Sequence, residues 1–176
     1  MAFKGNLSIG HTTFAEANTY NKSNTLDQYE EGRWEAYYAD AASGGNSIQN
    51  TKFLAAHQYI RIGMKVTVWG YVADPSTTGL TDNNDLFIRG LPYVCSSACF
   101  SGVGACVTDY VNFNSGDNSP VAYVEPNEAY LRFYTKDDNL GKVALRVIDI
   151  ENGNGSDIHY CVTYFTEESN ATVNNP

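Results

Sequence analysis

Between Lys65 and Val72 the chain reads K-V-T-V-W-G-Y-V, and this alternation restricts the fold more than any other feature of the sequence. In an extended backbone successive side chains point to opposite sides. Val66, Val68, Gly70 and Val72 then share one face, and Lys65, Thr67, Trp69 and Tyr71 share the other. A period of two with Val on one side is the pattern of a strand whose one face lies in a core. The preceding Ile60-Arg61-Ile62 alternates as well, with Gly63 as a bulge or bend between the two runs.

Similar short runs follow one another along the chain. Trp34 to Tyr38 is aromatic and β-prone, 85–93 (DLFIRGLPY) reads as a short strand closed by Gly90 and Pro92, and 95–113 is rich in small residues and then alternates. In 129–135 Leu131 and Phe133 share a face; in 142–150 Val143, Leu145 and Val147 do; 158–165 is the last strand. Between them lie polar stretches rich in Gly, Asn, Asp and Ser at 41–50, 73–84, 114–120, 136–141 and 151–157, the last with two Asn-Gly pairs that signal a hairpin. No window of a dozen residues carries a helical period; 11–20 comes nearest and is poorly capped. About eight short strands at such spacing predict an all-β chain, an antiparallel β-sandwich or jelly-roll-like module.

The organisation expected is a polar N-terminal arm over 1–24, a β-sandwich domain over 25–166 and a polar tail over 167–176. In the arm Phe3, Leu7 and Ile9 fall on odd positions, and with Phe14 they are its candidate anchoring residues. The stretch has too little apolar surface to fold alone and must lie on something else. Its start, MAFKGNLSIGH, has one Lys and no apolar h-region, which predicts assembly in a cytoplasm rather than secretion.

Charge excludes some partners. The 20 acidic and 11 basic residues give a formal net charge of −9, and no basic stripe occurs. Nucleic acid as a main partner is excluded, because neutralising phosphates needs clustered Lys and Arg. No apolar run approaches the roughly 18 residues of a membrane-spanning helix. An acidic surface repels copies of itself at a distance, so self-association has to come from a specific apolar or hydrogen-bonded contact.

The residues that could carry chemistry have plainer explanations. Glu30 and Glu31 could be an acid–base pair, but adjacent residues on a strand point to opposite faces, whereas glycosidase carboxylates come from separate segments about 5–9.5 Å apart. The reading favoured is a solvated turn before Gly32 that launches a strand anchored by Trp34. His11, His57 and His159 each stand alone, without HExxH, GxSxG or a Ser-His-Asp context. Cys95, Cys99 and Cys106 lie within twelve residues, with Cys161 far along the chain. Their spacing is not that of a zinc knuckle, and core packing, a disulfide or a metal all stay open, the first favoured. Acidic loops at 81–85, 136–139 and 149–157 match no full calcium motif, and turn chemistry accounts for them. No catalytic residue, metal or cofactor is expected. The 13 Tyr and 2 Trp suit a sugar-stacking surface and a sandwich core equally well.

Three pieces in one order, LDQYEEGRW (26–34), YIRIGMKVTVWGYV (59–72) and LFIRGLPY (86–93), resemble a module of tail fibres and other virion-surface proteins of tailed bacteriophages. In that family L-D-x-Y-E-E-G-x-W is followed by Y-x-K-I-G-x-x-V-x-V-x-G and then I-x-G-L-P-[FY]. Arg61 replaces the usual Lys, and Arg33 with Glu35-Ala36 stands where T-W-T-P is common, so the Pro after Trp34 is absent. The resemblance covers residues 26–93; the rest matches only in style. It implies a β-sandwich or jelly-roll module, a homotrimer and no enzymatic chemistry. Its motif residues here are Tyr29, Trp34, Tyr59, Ile62, Gly63, Val66, Val68, Gly70, Gly90, Leu91 and Pro92. With a short arm in place of shaft repeats or heptads, the expectation is a trimeric capsid decoration protein on the outer virion surface, touching the major capsid protein. The rival expectation is a receptor-binding tail-fibre module that recognises host surface glycan.

Overall fold

The computed structural model describes residues 29–49, 56–98, 101–112, 120–136, 141–150 and 155–168. The expected arm with Phe3, Leu7, Ile9, His11 and Phe14 lies outside the described residues, as do Cys99, residues 114–119 of the turn expected at 114–120, residues 151–154 with the first Asn-Gly pair, and the end of the tail from 169.

Among the described residues eleven strands form the framework: β1 (Tyr29–Arg33), β2 (Tyr37–Ala39), β3 (Ser47–Gln49), β4 (Gln58–Ile62), β5 (Lys65–Ala73), β6 (Phe87–Arg89), β7 (Gly102–Asp109), β8 (Val121–Val124), β9 (Tyr130–Lys136), β10 (Lys142–Ala144) and β11 (Asp157–Phe165). Every pairing among them is antiparallel. The sheet runs β1-β4-β5-β11-β7-β8-β9-β6-β2-β3, with β10 beside β9. The all-β antiparallel fold expected from the sequence is the one observed.

The sheet curls over on itself. β11 and β9 are three strand spacings apart, about 14 Å on a flat sheet, yet the rings of Phe133 and Tyr160 are 6.1 Å apart. Two glycines on the inner side of β7 permit the bend. A Cβ at Gly102 would stand 2.6 Å from Tyr164 Cβ, and one at Gly104 would stand 2.6 Å from Val162 Cα. Their absence lets β7 lie close on β11, the usual meaning of glycine at a sheet corner. Inside the curl Val66, Val68, Val72, Ile88, Leu91, Val124, Leu131, Phe133, Ile158 and Tyr164 are almost wholly buried.

The register explains the burial pattern. β5 alternates as its sequence predicts, with Val66, Val68, Gly70 and Val72 inward. Gly63 is the first residue of a two-residue turn joining β4 to β5, since Ile62 pairs with Lys65. Its φ of +59° suits the tight hairpin, where glycine leads. Gly90 has φ +100° and lies against the backbone of Glu35, which holds Leu91 and Pro92 inward after β6.

Two local expectations need correction. YEEG is not a turn: Tyr29 to Arg33 pairs residue by residue with Ile62 to Gln58. Residues 142–150 are not one strand either. β10 ends at Ala144, and Val147–Asp149 forms a 3-10 turn. The amides there go elsewhere: Val147 N–H donates to Asn84 O at 2.9 Å, Ile148 N–H to Asp82 O at 2.8 Å, and Arg146 N–H to the Asp149 carboxylate at 2.8 Å. Docking onto the 82–85 loop replaces a ladder. Val143 is half-buried, while Leu145 and Val147 are buried.

Candidate functional site

Because β1 is a strand, Glu30 and Glu31 point to opposite sides of it, and each has its own partner. Glu30 points inward and accepts hydrogen bonds from the hydroxyls of Tyr59 and Tyr93. Partial burial pushes its carboxyl up, but the two hydroxyls and the nearby Arg61 outweigh this and hold it below the usual range. Arg61 is buried, lies 4.6 Å over the Tyr93 ring, and donates to Gly63 O at 2.7 Å and Glu168 O at 2.5 Å. A Cβ at Gly32 would stand 2.7 Å from the Tyr59 ring, so glycine there lets that ring reach Glu30. Glu31 points outward and accepts from Tyr29 at 2.8 Å. The pair does not converge on one space, as a dyad must.

His57 sits in the core. It is 0% exposed, its Nδ1 lies 2.8 Å from Tyr160 Oη, and its ring is 5.2 Å from that of Trp34. Burial pushes its pKa down to about 4. Trp34 donates its backbone N–H to His57 O, and its buried indole makes it the packing anchor expected. A Cβ at Gly70 would strike both His57 Nδ1 and the Tyr160 hydroxyl. His159 points outward and stacks on Tyr71 with ring centroids 4.1 Å apart.

Cys95 and Cys106 are buried and Cys161 is exposed. The Cys106 thiol donates to Pro120 O at 3.4 Å, and burial pushes it up to about 12. Among the described residues no group of three or more His, Cys, Asp or Glu is arranged to hold a metal ion, and no helix is long and apolar enough to cross a membrane.

The outer side of the curled sheet divides into two surfaces of different chemistry. Over β8, β9, β6 and β2 a cluster of outward charged and aromatic side chains packs together, with Val121 exposed on β8. The Arg132 guanidinium lies 4.9 Å from the Phe87 ring and 5.0 Å from the Tyr134 ring, and pairs with Glu125 at 3.1 Å and with Asp85. Glu125 also accepts from Tyr130 at 2.9 Å and Tyr134 at 3.0 Å. Lys142 lies 4.0 and 4.2 Å over the Tyr123 and Tyr134 rings. Phe87 and Tyr130 are 5% and 4% exposed although they face away from the main core.

Over β1, β4, β5, β11 and β7 the outward rows are different. One runs Glu31, Ile60, Thr67, Thr163, Val103; the next runs Arg33, Gln58, Trp69, Cys161, Ala105; a third runs Tyr71, His159, Val107. Here Val103 and Val107 are 58% and 63% exposed, and Phe165 and Met64 are exposed as well. Tyr29 and Ile62, expected among the motif's structural residues, belong to this outer side rather than the core, at 52% and 45% exposure, paired with each other across β1 and β4. Tyr59, Val66, Val68, Gly70, Leu91 and Pro92 are buried. An open depression of about 390 Å³ lies on the outer surface, lined by Glu31, Gly32, Arg33, Gln58, Tyr59, Ile60 and Trp69.

Sequence reasoning missed both surfaces. The Arg132 lattice depends on register between segments distant in the chain. The bare face had a legible signal: in GVGACVTD both phases of the alternation are uncharged until Asp109, which a strand with one wet face has no reason to be.

No protein-family profile matches the chain, and no curated protein matches it. Among solved structures it is similar to the Dettilon tailspike protein gp208, with a TM-score of 0.55 and 16% sequence identity over 78% of this chain. The chain spans 24% of the length of that protein. At this identity the likeness is one of fold: the curled sheet occurs as part of a larger phage tailspike.

Proposed function

We propose that the chain is a non-enzymatic structural protein of a bacteriophage virion surface, a homotrimeric capsid decoration protein that binds the major capsid protein and reinforces the outer shell. The observation that supports a virion-surface role is the tailspike-like fold, in a chain whose segments 26–34, 59–72 and 86–93 resemble a phage surface module; it is common to the head and the tail readings. The partnered, divergent Glu30 and Glu31 support a role without glycoside hydrolysis. A decoration protein stabilises by binding the assembled shell and not its dissociated parts.

A second reading has its own observation. Trp69 beside Gln58, Arg33 and Glu31 in an open depression combines an aromatic face with polar groups, as a sugar site requires, and supports a tail-fibre module recognising host glycan.

Copy number per virion separates the two, measured by quantitative mass spectrometry of purified particles against the major shell protein. Abundance comparable to the shell protein is the expected result. A trace amount refutes decoration and moves the protein to the tail. Deleting residues 1–20 is expected to abolish capsid attachment; retained attachment refutes the anchoring role of Phe3, Leu7, Ile9 and Phe14.

A further inference from the structure

We propose that the outward face of β1, β4, β5, β11 and β7 is the surface on which copies of this chain pack against one another. This deepens the proposed function, and rests on it only for the number of copies.

Three observations converge. The first is exposure. Val103 and Val107 on β7, Phe165 on the adjacent β11 and Ile62 on β4 are 58%, 63%, 43% and 45% exposed on one face, with Lys65 between Ile62 and Phe165. A soluble monomer rarely keeps a contiguous apolar patch beyond roughly 300–600 Å². The second is charge. In a chain with 20 acidic and 11 basic residues, the outward positions in the middle of this face are Ile60, Thr67, Trp69, Thr163, Cys161 and Val103. Its charges lie at the perimeter: Arg33 and Lys65 against Glu31, Asp109 and Asp157. Depletion of charge at the centre with a polar rim is the anatomy of a protein interface. The near-balance of signs there makes this a region where a copy of a chain of charge −9 is little repelled. The third is contrast. On the other outer surface, Arg132, Glu125 and four aromatic rings cover one another.

The size fits a second copy. Five strands about 4.8 Å apart, carrying outward residues over about 20–25 Å of length, present on the order of 500–600 Å² in projection, and more as accessible surface. A stable interface takes about 800 Å² from each partner.

The test uses the full chain. Mass is read by light scattering and sedimentation across the micromolar range. The reactivity of Cys161, central on β11, is read with a maleimide, the labelled residue being identified by peptide mass. Wild type is expected to be oligomeric with Cys161 protected. Val103→Lys combined with Val107→Lys is expected to give a monomer with wild-type circular dichroism and a Cys161 labelled at least tenfold faster. Ile148→Lys, at an apolar residue 50% exposed away from the face, is expected to leave the oligomer intact. A monomeric wild type overturns the proposal, as does an oligomer unchanged by the double substitution. Should the double variant fail to fold, rapid labelling of Cys161 in an oligomeric wild type overturns it equally. A monomeric wild type whose tryptophan fluorescence responds to maltohexaose overturns it in favour of a sugar face. None of these outcomes depends on copy number in the virion, so this surface and the decoration role fail separately.

Discussion

Lowering the pH from 7 to 5 should destabilise the protein through one residue, His57. Its imidazole is wholly buried against Trp34 and Tyr160, and burial holds its pKa at about 4. An unfolded histidine titrates near 6.5. Above about pH 6.5 both states are neutral and the residue contributes no pH dependence. As pH falls below that value the unfolded state takes up a proton that the folded state refuses, and stability declines until the folded imidazole also protonates near pH 4. The full difference corresponds to about 3 kcal/mol, and the part reached by pH 5 to about 2 kcal/mol. For a chain of this size that is a fall in Tm of about 4–8 °C. The carboxylates with shifted values, Glu30, Asp40 and Glu125, are all held low, so their protonation belongs to more acidic solution. The assay is thermal unfolding by circular dichroism at pH 7, 6 and 5, at one protein concentration because self-association moves Tm. His57→Gln should flatten the profile between pH 7 and 5 even though it lowers Tm overall. A wild-type Tm that does not change over this range refutes the reasoning. So does an NMR titration in which His57 of the folded chain protonates near pH 6.5.

Two further substitutions test the packing that positions this core. Gly70→Ala places a methyl group where the His57–Tyr160 hydrogen bond lies; overpacking with loss of that bond should cost about 2–5 kcal/mol in urea unfolding, and a cost below 1 kcal/mol shows that the close approach is not needed. Glu30→Gln replaces a charged acceptor of two tyrosine hydroxyls and should cost about 1.5–3 kcal/mol at pH 7. The sign of its pH dependence follows from the lowered value of Glu30. Its contribution is present above the usual carboxylate range and lost as pH falls through the folded value, so wild type and variant should converge in acid. Divergence there rejects the assignment.

How much of this was legible depends on the distance over which each feature is decided. The period of two in KVTVWGYV is local, and β5 keeps it with Val66, Val68 and Val72 wholly buried. Gly63 and Gly90 were legible as breaks because a positive φ is a property of one residue. Trp34 was legible as an anchor because a large aromatic ring needs burial. Glu30 was not, because its partners Tyr59 and Tyr93 arrive from β4 and from the segment after β6. The turn reading of YEEG failed for the same reason: Glu-Glu-Gly has poor strand propensity, and pairing with β4 overrides it. Residues 145–150 alternated well enough for a strand, but Asp149 accepts from the Arg146 amide and the 82–85 loop takes the next two.

The same distinction bears on function. A strand buried on one face announces itself by alternation, whereas a strand covered on both faces loses it, because neither phase has to be polar. β11 reads D-I-H-Y-C-V-T-Y-F and β7 reads G-V-G-A-C-V-T-D, each with its charge confined to one end. In the single chain one side of each faces the core, and the other, with His159, Cys161, Val103 and Val107, faces water. Among the described residues the outward face of β7 and β11 has no layer packed on it, and the proposal above is that a second copy supplies that layer. In the proposed trimer the missing layer is supplied by the neighbouring copies, while the Arg132 surface, covered by its own side chains, is left to face the solvent.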